Sequence, residues 1–170
     1  IVAFVVYKNE LIRGDVYIPF TKNTVSLGWG VIPLVVFIFI ATTNSVNLTD
    51  GLDGLAASTT LVYMAGIAAI IAIVSADADK NGLSLYVKEY QGLLTVCFAT
   101  VGSLAGFLLF NCFPAKIFMG DVGSLALGGV VACVSILGRL SLYIPILGVM
   151  FATSAVSDII QVVHYKRTKR

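Results

Sequence analysis

The chain has 170 residues, of which 58% are hydrophobic and only 12% carry a formal charge. That charge content is about half the ~25% of an ordinary soluble domain, and a soluble fold of this length keeps roughly a third of its unfolded surface wet. The composition therefore excludes a soluble globular protein, a disordered chain and a nucleic-acid binder, and leaves an integral membrane protein whose apolar excess faces lipid. A net charge of +2 is too small to imply a polyanionic partner.

In chain order, residues 1–7 are apolar but too short to span. They lack the basic start and cleavage pattern of a signal peptide. They read as the end of a helix that begins elsewhere, so the chain is expected to be an internal fragment, incomplete at both ends. The run Asp15-Val-Tyr-Ile-Pro-Phe20 has strand character and predicts a short hairpin on the outer side, with Pro19 confined to an edge. Crossing a ~30 Å hydrocarbon core takes about 20 apolar residues. Five segments qualify: 27–43, 54–75, 91–113, 122–138 and 142–163. The first and fourth are short, and their ends are expected to continue into the polar stretches beside them. The predicted fold is an all-α polytopic bundle of about five transmembrane helices plus a partial N-terminal one, forming a single domain over residues 1–170.

The connections fall alternately on two sides. One side holds residues 8–26, 76–90 and 139–141; the other holds 44–53, 111–121 and the tail 164–170. Lys8, Arg13, Lys22, Lys80, Lys88 and Arg139 lie on the first side; Lys116, Lys166, Arg167, Lys169 and Arg170 lie on the second. The raw count does not decide, but the dense basic tail directly after a span orients the second side to the cytoplasm. Residues 76–81 (Ala-Asp-Ala-Asp-Lys-Asn) read as a plain polar loop. Cys97, Cys112 and Cys133 are odd in number and in apolar surroundings, so they read as small core residues, with neither disulfide nor zinc spacing.

Ionisable groups beside the hydrocarbon are costly and mark function by default. Three gather at span ends on the second side: Asp50, Asp53 and Asp121. Asn47, Asp50 and Asp53 are spaced by three, which on a helix gives one polar face. Gly51 and Gly54 permit a turn or a close backbone approach. Asp121 stands beside the start of the fourth span, where the bland alternative is that Asp121 or Ser124 caps the helix. Lys116 is the one local cation. Carboxylates so placed repel one another, and a divalent cation relieves the repulsion. Oxygen-only ligands favour Mg²⁺ or Mn²⁺, with Mg²⁺ bridging carboxylate to substrate phosphate. The residues alone thus point to a Mg²⁺-dependent phosphate-handling site at the cytoplasmic face. Asp158, inside the last span, is read as hydrogen-bonding to a neighbouring helix, with a proton-relay role as the alternative.

Two segments carry a resemblance. Asn47-Leu-Thr-Asp-Gly-Leu-Asp-Gly-Leu-Ala56 and Pro114-Ala-Lys-Ile-Phe-Met-Gly-Asp-Val-Gly-Ser-Leu-Ala-Leu-Gly-Gly129 resemble the signatures of the polyprenyl-phosphate N-acetylhexosamine-1-phosphate transferases. Thr49 and the Ala126–Gly129 ending favour the branch that handles phospho-N-acetylmuramoyl-pentapeptide. The resemblance runs along nearly the whole chain and implies transfer of phospho-MurNAc-pentapeptide from its UDP carrier to undecaprenyl phosphate, giving lipid I and UMP in the bacterial inner membrane. It implies Asp121 as Mg²⁺ ligand, and Asn47, Asp50, Asp53 and Asp121 in the catalytic cleft. Gly51, Leu52, Asp53 and Asn111 are implied to line the nucleoside pocket, with Phe118 against uracil and Lys116 near phosphate. A homodimer is also implied. The alternatives are a sister enzyme using UDP-GlcNAc and, more remotely, an ion channel or transporter. This sequence departs from the pattern in three places. The family's adjacent Asp-Asp pair and its His-rich motif are absent from these residues, and the family's Glu near position 154 is Ser154 here, with Asp158 one turn later. The 170 residues alone are therefore expected to be inactive.

Overall fold

The computed structural model describes residues 15–21 and 23–168. The expected partial helix at residues 1–7 and the last two basic residues of the tail lie outside the described residues. A two-stranded antiparallel hairpin, β1 (Asp15–Tyr17) and β2 (Thr24–Ser26), opens the structure, with Val16 paired to Val25. It is followed by α1 (Val31–Thr49), α2 (Leu55–Lys80), α3 (Ser84–Asn111), α4 (Gly120–Leu137), the one-turn α5 (Ile144–Leu147) and α6 (Val149–Thr168). With its leading 3₁₀ turn, α1 forms a 22-residue span; α2, α3 and α4 have 26, 28 and 18 residues. At 1.5 Å per residue these lengths reach about 27 to 42 Å, enough for the bilayer core. The protein is thus an all-helical polytopic membrane bundle.

Two antiparallel pairs organise it: α2 lies along α3, and α1 along α4. A Cβ on Gly128 of α4 would stand 2.5 Å from Thr43 Cα and 3.0 Å from Thr42 O of α1. Only glycine lets these backbones approach so closely, which is how helices gain van der Waals contact when lipid offers no hydrophobic drive between them. The core between the pairs is built from Val46, Tyr63, Met64, Ile67, Ile71 and Val131, with Phe151 of α6 stacked at 5.9 Å on Tyr63. A buried polar bridge runs through it: Ser135 Oγ donates to Val131 O at 2.6 Å and receives the Tyr63 hydroxyl at 2.7 Å.

Several expectations are corrected. Residues 76–80 are helical, not loop. Ala, Asp and Lys tolerate a helix, and the stop comes later, at Gly82 with φ +71°. There Leu83 N–H donates to Ala78 O and Gly82 N–H to Asp79 O, a Schellman closure. The fifth span is broken: α5 and α6 meet at 72° about Gly148, where a Cβ would lie 2.7 Å from Ile144 O and 3.0 Å from the Phe151 ring. Cys97 is buried, but Cys112 is exposed because it lies just past the end of α3, where the chain turns out of the bundle. The first and fourth spans do extend into their polar flanks, to Thr49 and back to Gly120.

The hairpin end of the bundle is tied together by Arg139, a residue at φ +60° that is 8% exposed. Its carbonyl accepts from Tyr17 N–H of the hairpin at 2.9 Å, and its guanidinium donates to the Tyr86 hydroxyl at 3.1 Å while lying 4.9 Å over that ring. Every strong polar group of Arg139 that faces inward thus has a partner.

Candidate active site

The α1–α4 contact sets the register of the site. From the Thr43–Gly128 approach, one turn toward the C-terminus of α1 and the N-terminus of α4 brings Asn47 opposite Ser124. Asn47 Nδ2 donates to Ser124 Oγ at 2.9 Å and to Asp121 Oδ1 at 3.2 Å. Ser124 is fully buried, and its hydroxyl lies 3.2 Å from both Gly120 O and Asp121 O. Asn47 therefore fixes the Asp121 carboxylate, using its amide hydrogens and leaving its own carbonyl oxygen uncommitted.

Asp50 follows at the end of α1. Partial burial raises its pKa above the ordinary 3.8, and the negative charge of Asp121 raises it further. The two carboxylates thus feel one another across the α1–α4 seam. Among the described residues no cluster of three or more His, Cys, Asp or Glu side chains is preassembled. The site offers two acidic groups and an amide oxygen, a donor set that leaves room for waters and for a ligand's own oxygens.

The expected single polar face through Asn47, Asp50 and Asp53 does not form. The helix ends at Thr49, and Gly54 at φ +74° turns the chain into α2. Asp53 instead faces the α3–α4 connection, where its Oδ2 accepts from Ala115 N–H at 3.0 Å. Beside it, Asn111 is 4% exposed and clamps both segments: its Oδ1 accepts from Gly54 N–H at 3.1 Å, and its Nδ2 donates to Ile117 O at 2.8 Å. A Cβ at Gly54 would sit 3.4 Å from Asn111 O, so this glycine serves both the turn and the approach. The two signature segments, some 60 residues apart in sequence, are stitched into one surface. Leu52 and Phe118 stand out from it at 70% and 74% exposure, and Gly51 and Lys116 are exposed as well.

Neither Asp121 nor Ser124 caps α4. The helix begins at Gly120 after Met119, without a side-chain cap, so both residues are free for the contacts just described. Ser124 as the bridge to Asn47, and Gly128 as the residue that sets the register, were not assigned these roles from sequence. The only signal was their place among the small residues Ser124, Ala126, Gly128 and Gly129 of the second signature segment. Asp158 is half-buried and makes no hydrogen bond among the described residues. Instead of bonding to a neighbouring helix, it lines a groove of about 450 Å³ between α6 and the α1–α2 turn.

Residues 1–139 match the profile of glycosyl transferase family 4. The chain belongs to that family. It is 43% identical over its full length to a phospho-N-acetylmuramoyl-pentapeptide-transferase of Clostridium novyi (strain NT), covering 48% of that protein. It is 42% identical to the protein of that name from Acetivibrio thermocellus over 98% of its length, covering 47% of the relative. It is 41% identical to the one from Bacillus mycoides (strain KBAB4) over 99%, covering 48%. The chain thus spans about half the length of the curated relatives it matches. Both stitched segments fall within the matched residues of the family 4 profile.

Proposed function

We propose that this family 4 chain is part of an enzyme that transfers phospho-MurNAc-pentapeptide from its UDP carrier to undecaprenyl phosphate, giving lipid I and UMP. The observation that carries the reading is the Asn47–Asp121–Ser124 seam with Asp50 beside it: acidic groups held at the end of the spans with no compensating side-chain cation in contact among the described residues. The chemistry is between two phosphate-bearing substrates, and all of those phosphates are anionic. Partial burial and then the neighbouring Asp121 charge raise Asp50's pKa, and a carboxylate pair of this kind suits Mg²⁺, an ion that takes one or two carboxylates and completes its shell with water and phosphate oxygens.

In this reading Asp121 and Asp50 are the residues that hold Mg²⁺, and Asn47 orients the Asp121 carboxylate toward it. The ion, when bound, neutralises the pyrophosphate and the departing UMP. Asn111 holds the α3–α4 connection against the α1–α2 turn, so that Leu52, Asp53, Gly51 and the Phe118 ring form one nucleoside-binding surface. Phe118 offers an aromatic face to the uracil, and Lys116 a cation to phosphate. The site faces the cytoplasm of the bacterial inner membrane, consistent with the basic end of α6, and the enzyme works as a homodimer. The 170 residues by themselves are inactive on this reading, since they span about half the length of the curated relatives they match.

The test is UMP release by the full reading frame that contains this segment, in detergent, with Mg²⁺, undecaprenyl phosphate and either UDP-MurNAc-pentapeptide or UDP-GlcNAc. Release with the first sugar nucleotide and not the second is the expected result. Release with UDP-GlcNAc alone would move the chain to the sister activity.

A further inference from the structure

The groove between α6 and the α1–α2 turn adjoins the carboxylate pair directly, since Gly51 in its wall follows Asp50. Its other wall belongs to α6, where Ser154, Ser157 and Asp158 share one helical face and Thr153 flanks them. This gathers polar groups on one side of the middle of α6. A carboxylate within a membrane-spanning segment carries a cost that a partner ordinarily offsets, and Asp158 has no hydrogen-bond partner among the described residues.

The hydrogen-bond inventory defines what would fit. Thr153 Oγ1 spends its hydrogen on Met150 O at 3.0 Å, so it faces the groove as an acceptor. Asp158 is an acceptor only. Ser157 Oγ receives Gln161 Nε2 at 3.0 Å and retains its own hydrogen. Ser154 Oγ has no hydrogen-bond partner among the described residues, so the wall offers two hydroxyl hydrogens beside the Thr153 and Asp158 acceptors, and suits a ligand that carries N–H and O–H donors together with carbonyl acceptors. A phosphate has no such donors to offer and is repelled by Asp158. A prenyl tail has none either, and would bury the carboxylate without compensation. The exposed Leu52 on the facing wall supplies an apolar surface for a ring or a short side chain.

We propose that this groove is the subsite for the donor-rich arm of the sugar nucleotide, the N-acylated amino sugar with its attached peptide, and that Asp158 is its specificity-determining residue. The assignment rests on the transferase reading above and deepens it: the phosphates go to the α1–α4 seam, and the amide and hydroxyl hydrogens go to α6.

The experiment uses the full reading frame in detergent, with UDP-MurNAc-pentapeptide, undecaprenyl phosphate and Mg²⁺. D158A should raise the KM for UDP-MurNAc-pentapeptide about tenfold or more, the size expected when a hydrogen bond to a charged group is lost. The kcat should stay within about twofold, as for loss of binding shared by ground and transition states. Inhibition by UMP, which lacks the arm, should not change, and D158E should restore most of the KM. An unchanged KM overturns the assignment. So does a KM increase matched by weaker UMP inhibition, or a defect confined to undecaprenyl phosphate, which would make the groove a lipid site. If D158A does not accumulate, S157L fills the same groove from an exposed position and must give the same KM-selective defect; native kinetics in S157L overturn the assignment. A wild-type protein that releases no UMP from UDP-MurNAc-pentapeptide is a separate outcome. It removes the transferase reading and the subsite with it.

Discussion

The two ends of the bundle treat charge in opposite ways. At the hairpin end Arg139 is nearly buried, yet its guanidinium has the Tyr86 hydroxyl and ring, and its carbonyl has the hairpin's Tyr17 N–H. At the opposite end Asp121 is held by an amide, and its neighbour Asp50 is pushed toward protonation first by its own partial burial and further by that carboxylate. One end satisfies its charge internally and so serves to lock helices and hairpin. The other leaves charge of one sign unmatched among the described residues, and under the proposed function that charge serves to bind a cation and, through it, phosphate. On that proposal, stability and function are separated along the bilayer normal.

The largest effect should come from the unmatched end. D121N in the full reading frame should lower UMP release about a hundredfold or more, as loss of a metal-binding carboxylate does, and leave thermal stability in detergent equal or higher because the repulsion with Asp50 is gone. N47A should cost about 10- to 100-fold in activity or in apparent Mg²⁺ affinity, the range seen when the residue orienting a ligand is removed. Undiminished activity in N47A would mean that Asp121 needs no orientation.

G128V sharpens the contrast by attacking the framework. The added atoms meet the α1 backbone, not a movable side chain, so about 1–3 kcal/mol of stability should be lost, with activity falling because Asn47 and Ser124 lose register. R139M attacks the other end. It should destabilise by about 1–2 kcal/mol, from the Tyr86 contact and the guanidinium packing, while kcat stays within about twofold. A large kcat loss in R139M would break the claim that the ends are separable.

The smallest effect is in pH. Asp50 has a folded pKa above its unfolded value, so between the two the folded state binds the extra proton and stability falls as pH rises. The loss should begin just above 3.8 and be complete above the raised folded pKa. D121N removes one cause of the shift, so its thermal unfolding should depend less on pH across that window.

Much of this organisation is legible in the residues. The spans follow from apolar length, the hairpin from Asp15–Phe20, and the importance of Asp50, Asp53 and Asp121 from the expense of carboxylates near lipid. The pairing of those acids is not legible, because it depends on helix contact. Spacing by three suggested that Asn47, Asp50 and Asp53 share a face, but Gly54 ends that face and sends Asp53 to Ala115. The partner of Asn47 is 74 residues away, and only the Gly128 approach to Thr43 brings it there. The break at Gly148 is likewise hidden in an apolar run, since Gly is common in spanning helices and marks a bend only where its neighbours crowd it.

The central claim is that the Asp50–Asp121 seam is a divalent-cation site made by unmatched charge. Its most direct test is Mn²⁺ binding to the full-length protein, followed by electron paramagnetic resonance with Mg²⁺ as competitor. The account predicts one bound Mn²⁺ that Mg²⁺ displaces, weakened in D50N and lost in D121N. Binding of equal strength in wild type, D50N and D121N would contradict it.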